Sequence, residues 1–67
     1  MAGMMKVHWQ GDYTDIRGNG RYGHLDTEIT EEMWYRIQND PVATERLIKQ
    51  HIFDCEKVAC PYLSLGR

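Results

Sequence analysis

Sixty-seven residues with only two cysteines, Cys55 and Cys60, cannot build the dense disulfide framework by which small secreted modules replace a core. A reducing, cytoplasmic setting is the expectation. Apolar runs are short, and none approaches the roughly 18–20 residues that cross a bilayer, so membrane insertion is not expected. Met1 to Val7 lacks the apolar stretch of a secretory leader, which excludes export by that route from the reading. Positive charge is not in excess either: eight Lys and Arg stand against ten Asp and Glu, a formal charge of −2, and little non-specific affinity for a phosphate backbone follows. Length is also scarce. A chain of this size buries only about 60% of the surface its unfolded form exposes, which leaves room for one domain over residues 1–67 and none for an enzyme with a large enclosed pocket. Residues 1–4 are set outside the fold pattern as disordered or foreign to the native chain.

What is present divides into two parts. Between Met5 and Gln10, Val7 and Trp9 alternate with Lys6, His8 and Gln10, the period of a strand with one buried face. Gly11-Asp12 then suits a two-residue turn, which would pair His8 with Asp15 and Val7 with Ile16; Gly18-Asn19-Gly20 suits a second turn, with Arg21 to Leu25 returning as a third strand. From Asp26 the composition shifts to acids, followed by Ile29, Met33, Trp34 and Ile37 at helical spacing. Thr30 is placed to cap this helix, with Glu31 and Glu32 in its first turn, where the dipole favours negative charge. Asn39-Asp40-Pro41 ends it and starts another, Asp40 as cap and Pro41 at the first helical position.

On a helical wheel the second helix, taken over residues 41–58, gathers Ala43, Leu47, Ile48, Ile52, Cys55, Val58 and Ala59 on one half. Phe53 falls outside that arc, and Tyr62, Leu63 and Leu65 form an apolar tail after Pro61. The expected fold is therefore α+β: an antiparallel hairpin or three-stranded meander over about residues 5–25, then helices over about 30–39 and 41–58. Its expected core is Val7, Trp9, Ile16, Met33, Trp34, Ile37, Leu47, Ile48 and Ile52.

Several constellations touch on chemistry. His51, Cys55 and Cys60 form H-x3-C-x4-C, and on one helix His51 and Cys55 would face the same zinc ion; three ligands are one short of a closed structural site, and a small buried cysteine beside a core histidine accounts for the same residues. If both turns hold, Asp15 sits between His8 and His24 on one sheet face, which reads as a facial metal triad or, more simply, a solvated charge pair. Gly18, Gly20 and Gly23 match G-x-G-x-x-G, but the chain has no room for the βαβ unit that gives this motif its meaning. Asp15, Asn19, Gly20 and Asp26 match part of a calcium-loop spacing, with Arg17 on a ligand position. A nucleophilic Cys55 or Cys60 would need an exposed, activated setting beside a histidine, and the wheel places Cys55 on the buried side, so no enzyme is expected.

The function expected from these residues is a small intracellular protein-interaction module, a regulator or inhibitor that binds another protein or itself as a homodimer. Tyr35, Phe53, Tyr62 and Leu63 are its candidate partner-binding residues, being apolar groups left over from the core pattern. The alternative is a nucleic-acid-binding regulator that uses its two-helix unit and its basic hairpin, with Arg46 on the second helix and Lys6, Arg17 and Arg21 on the hairpin. A zinc-stapled module held by His51, Cys55 and Cys60 is the second alternative; otherwise no cofactor is implied.

Overall fold

The computed structural model describes residues 3–66, with six elements in chain order: β1 (Met4–Asp15), β2 (Gly20–Thr30), α1 (Glu31–Ile37), α2 (Pro41–His51), β3 (Cys55–Val58) and β4 (Ser64–Leu65). The architecture is the expected α+β one, an antiparallel hairpin followed by two helices. β1 is central. It pairs with β2 along one side, and its other side is shared by β3 near its end and β4 near its middle, all antiparallel.

The hairpin departs from the sequence reading in its turn. β1 runs straight through Gly11-Asp12, and the pairing proceeds without a break from Met4↔Thr30 to Thr14↔Gly20. Gly11 faces Gly23 across this ladder. A Cβ on Gly23 would lie 2.9 Å from Cε1 of Tyr13, and one on Gly11 would lie 3.3 Å from Cζ2 of Trp9. The two glycines thus leave bare backbone for two aromatic rings, which is a spacing role and not a turn. The reversal comes later, where Gly18 takes φ +85 in the connection between β1 and β2.

Because strand side chains alternate, this register directs Val7 and Trp9 of β1 and Leu25 and Ile29 of β2 to one face, where the helices pack. Trp9, Leu25, Ile48, Cys55 and Val58 make one buried cluster; Val7, Ile29, Trp34 and Ile37 make a second. Leu63 packs against both. Ile16, expected inside, lies beyond the end of β1 and is 66% exposed, and Met33 is also exposed, because α1 turns Trp34 and Ile37 inward instead. Gly3 and Met4, set outside the fold by the sequence reading, belong to it: Met4 opens β1, and the Gly3 carbonyl accepts from the Glu31 amide at 2.9 Å. Residues 1 and 2 lie outside the described residues.

Both helix starts are as the sequence indicates. Thr30 accepts from the Met33 amide at 3.1 Å, and the Asp40 carboxylate accepts from the Val42 and Ala43 amides, each at 3.1 Å, with Pro41 opening α2. Thr44, buried between the helices, donates through Oγ1 to the Ile37 carbonyl at 3.0 Å and so fastens α2 to the end of α1.

The end of α2 is a correction. The helix stops at His51, the chain turns through Phe53-Asp54, and Cys55–Val58 pairs with β1 as a strand. Its pairing passes from Thr14↔Lys57 to Asp15↔Cys55, leaving Glu56 unpaired in a bulge. In a regular strand Cys55 and Val58 would face opposite sides. One extra residue turns both inward, and the resulting three-residue spacing of buried positions is also the spacing of a helix.

Candidate functional site

The most organised polar arrangement lies at the hairpin tip, and it is built around Asp15. This residue is 1% exposed, and its Oδ1 accepts the backbone N–H groups of Arg17 and Asn19, each at 2.9 Å. Its Oδ2 accepts from Nε of Arg21 at 2.9 Å. Main-chain bonds from the Asp15 amide to the Asn19 carbonyl and from the Gly18 amide to the Asp15 carbonyl, both 2.9 Å, complete the loop. The Arg21 hydrogen bond, seconded by the loop amides, holds the Asp15 carboxyl well below its ordinary value, at about 2.

The turn before β3 is tied to the same tip. The Ile16 amide donates to the Asp54 carbonyl at 3.0 Å, and the Tyr13 hydroxyl donates to Oδ1 of Asp54 at 3.3 Å. Burial is the main cause that raises the Tyr13 phenol above its ordinary range, with the nearby Asp54 carboxylate adding to it. Above this hydrogen-bonded base stand two apolar side chains. Phe53, at 101% relative exposure, and Ile16 flank a shallow depression that is also lined by Asp15, Arg17, Arg21 and Asp54. The turn before β3, tied to the Asp15 loop, thereby displays a fully solvated phenyl ring next to that loop's isoleucine and two arginines.

The other candidates lie apart from this tip. Tyr35 projects from α1 and Tyr62 from the segment before β4, both exposed. Leu63, grouped with them by the sequence reading, is half-buried between the two core clusters, and its packing there occupies the side chain. Arg17 and Arg21 share the tip. Lys6 stands on β1 some nine positions before Asp15, about 30 Å of strand away, and Arg46 is on α2, so the four basic residues do not form one face.

The zinc candidates are also separated. Since α2 ends at His51, the shared helix face of His51 and Cys55 does not exist. His51 Nδ1 is hydrogen-bonded to the Leu47 carbonyl at 2.9 Å, Cys55 is buried in the core, and Cys60 is exposed. Burial pushes the Cys55 thiol above its usual range. Among the described residues no three His, Cys, Asp or Glu side chains converge as a ligand set.

The His8, Asp15 and His24 row fails for the same reason as the Gly11-Asp12 turn. His8 faces Asp26 and His24 faces Gln10, while Asp15 lies on the covered face. His8 Nδ1 is 2.7 Å from Oδ1 of Asp26, and that bond raises the imidazole above its ordinary range. Ser64 of β4 pairs with His8, which sets Ser64, His8 and Asp26 in a row across three strands. Its Oγ donates to the His8 backbone carbonyl at 3.2 Å, however, so the hydroxyl is not bonded to the ring that would activate it. The Asp15 loop was the feature the sequence reading missed. Its signal was the aspartate preceding Gly18-Asn19, a side chain that bonds amides two and four residues on, read instead as part of a calcium spacing. Compared with known protein families, curated proteins and solved structures, the chain matches none.

Proposed function

We propose that this chain is a small intracellular protein-interaction module, with a binding and not a catalytic role, that engages another protein through its hairpin tip. The observation that carries the reading is Phe53: a phenyl ring with no cover at all, beside exposed Ile16, on a turn that the Ile16 amide and the Tyr13 hydroxyl tie to the loop ordered by Asp15. Aromatic side chains presented on rigid supports are typical anchors of interfaces, since little entropy is lost when a partner covers them. The arginines around the ring favour a partner segment that combines an apolar side chain with acidic ones. Two unpaired thiols, Cys55 and Cys60, support a reducing compartment, and a regulator or inhibitor is the role such a module suits.

Selection from a displayed library of random peptides tests this. The expected outcome is a family of apolar-acidic sequences whose binding drops about tenfold or more in F53S and in I16S, with thermal unfolding unchanged. The same peptides should bind Y62S and Y35S normally. Peptides that bind equally well to F53S, or a Phe53 variant that unfolds, would remove the tip as the docking surface.

A further inference from the structure

Among the described residues, the outer edge of β2 has no partner. β2 ends the sheet order β2-β1-β3, and its eleven residues, Gly20–Thr30, pair with β1 over their whole length without a bulge. The phase of the ladder shows which groups face outward. The Asp15 amide donates to the Asn19 carbonyl at one end and the Glu31 amide to the Gly3 carbonyl at the other, so odd-numbered residues exchange the hydrogen bonds between β1 and β2. The N–H and C=O groups of Tyr22, His24, Asp26 and Glu28 therefore point away from β1. None meets a protein partner among the described residues.

The opposite margin of the sheet is treated differently. There β3 is short and bulged, and Glu45 of α2 reaches over to accept its outward Val58 amide at 3.1 Å. Among the described residues β2 has no such cover, and it contains no proline and no lysine, devices that commonly blunt an edge. A long regular edge left open on a chain near the lower size limit for an independent core is a template for a further strand.

We infer that β2 pairs antiparallel with β2 of a second copy about a twofold axis through Leu25, joining the two sheets into one. The sequence of the strand selects this register. Centred on Leu25, Gly20 meets Thr30 of the other copy, so the strands overlap over their full length. His24 then stands opposite Asp26, Tyr22 opposite Glu28 and Leu25 opposite itself, with no two like charges face to face. Moving the axis to Asp26 sets that carboxylate against its own copy, and moving it to His24 sets two imidazoles together and shortens the overlap. The outward groups of Tyr22, His24, Asp26 and Glu28 all become hydrogen-bonded pairs in the Leu25 register. Even-numbered residues of both copies stay on the open face and the helices of both stay on the other. This surface is separate from the Phe53 tip, so the inference stands on the sheet edge alone and goes beyond the partner reading above.

Sedimentation velocity and native mass spectrometry of the full chain, with three variants at position 24, test the pairing. Within the monomer His24 stands opposite Gln10 of β1, and among the described residues it enters no ion pair, so substitution there leaves the fold's charge pairs intact. The wild type is expected to dimerise. H24D, which sets carboxylate against Asp26, raises the dimer Kd about tenfold or more, whereas H24K retains the dimer. H24P removes an outward amide without touching the β1 ladder and also disfavours the dimer. Hydrogen exchange supplies an independent readout: the amides of Tyr22, His24, Asp26 and Glu28 gain protection as concentration rises, while those of Gly23 and Leu25 are protected throughout. A wild type that stays monomeric up to about 1 mM overturns the inference. So does a dimer indifferent to H24D and H24P, or one dissociated by F53S, which would put the interface at the tip.

Discussion

At the scale of single residues, Asp15 does the work that the sequence pattern assigned to no residue. Three donors converge on a buried carboxylate, and the loop that displays Ile16 and supports Phe53 depends on its charge. Its folded-state value of about 2 lies below the ordinary 3.8, so the native state binds this proton less readily than the unfolded chain. The stabilisation is then complete above the ordinary value and is lost as pH falls from about 4 through about 2. D15N keeps an oxygen for the Arg17 and Asn19 amides but turns an NH2 group toward Arg21. Thermal unfolding followed between about pH 2 and pH 7 should show D15N melting below the wild type at neutral pH and meeting it near the acid end. Parallel curves with a constant gap would mean that the carboxylate charge is not what matters. His8 has the opposite sign: raised by Asp26, its contribution is full below the ordinary imidazole value and fades as pH rises through the folded one.

At the scale of elements, legibility followed the kind of signal. Helix starts are local chemistry, and Thr30, Asp40 and Pro41 could be assigned from their own side chains. The strand signal of Val7 and Trp9 was equally local. Gly11 and Gly23 were not legible as they stand, because a glycine kept for a ring on a neighbouring strand looks the same in sequence as one kept for a turn. Cys55 and Val58 misled through the bulge, whose extra residue gives a strand the spacing of a helix. The site divided likewise: Phe53 stood out as a misfit on a helix face and is fully exposed at the tip, whereas its neighbours Ile16 and Asp15 join it only through tertiary pairing. The strand assignment of Gly23 has a direct consequence. G23A pushes a methyl group against Cε1 of Tyr13, where a Cβ lies at 2.9 Å, and should destabilise the domain by about 1–3 kcal/mol in denaturant titration. In a Y13A background the same substitution should cost far less. If the penalty were the same in both backgrounds, it would come from the backbone and not from the ring.

At the scale of the molecule, the core is two clusters along a body 42 Å long and 21 Å by 16 Å across, and its cooperativity depends on how they are joined. The shared β1–β2 ladder is one link, since Trp9 and Leu25 belong to one cluster and Val7 and Ile29 to the other. Leu63 is the side-chain link, folded back from the C-terminal segment onto both. That segment is itself held by the Trp9 indole, which donates to the Cys60 carbonyl at 2.9 Å, and by β4, where the Gly66 amide donates to the Lys6 carbonyl at 2.8 Å. Each cluster contains one of the two tryptophans, so W34F reports on the Trp9 end and W9F on the Trp34 end. With Leu63 in place, each single-tryptophan chain should give the same denaturant midpoint by fluorescence as by far-UV circular dichroism, the mark of one transition. L63A removes packing from both clusters and should cost about 2 kcal/mol, the low end for a leucine truncation because the side chain is only half-buried. In W34F/L63A and W9F/L63A the fluorescence midpoints should separate from the circular dichroism, the Trp34 end going first, since α1 is the shorter helix and leaves Met33 and Tyr35 uncovered. Midpoints that stay together in both L63A chains would show that the β1–β2 ladder alone couples the two ends.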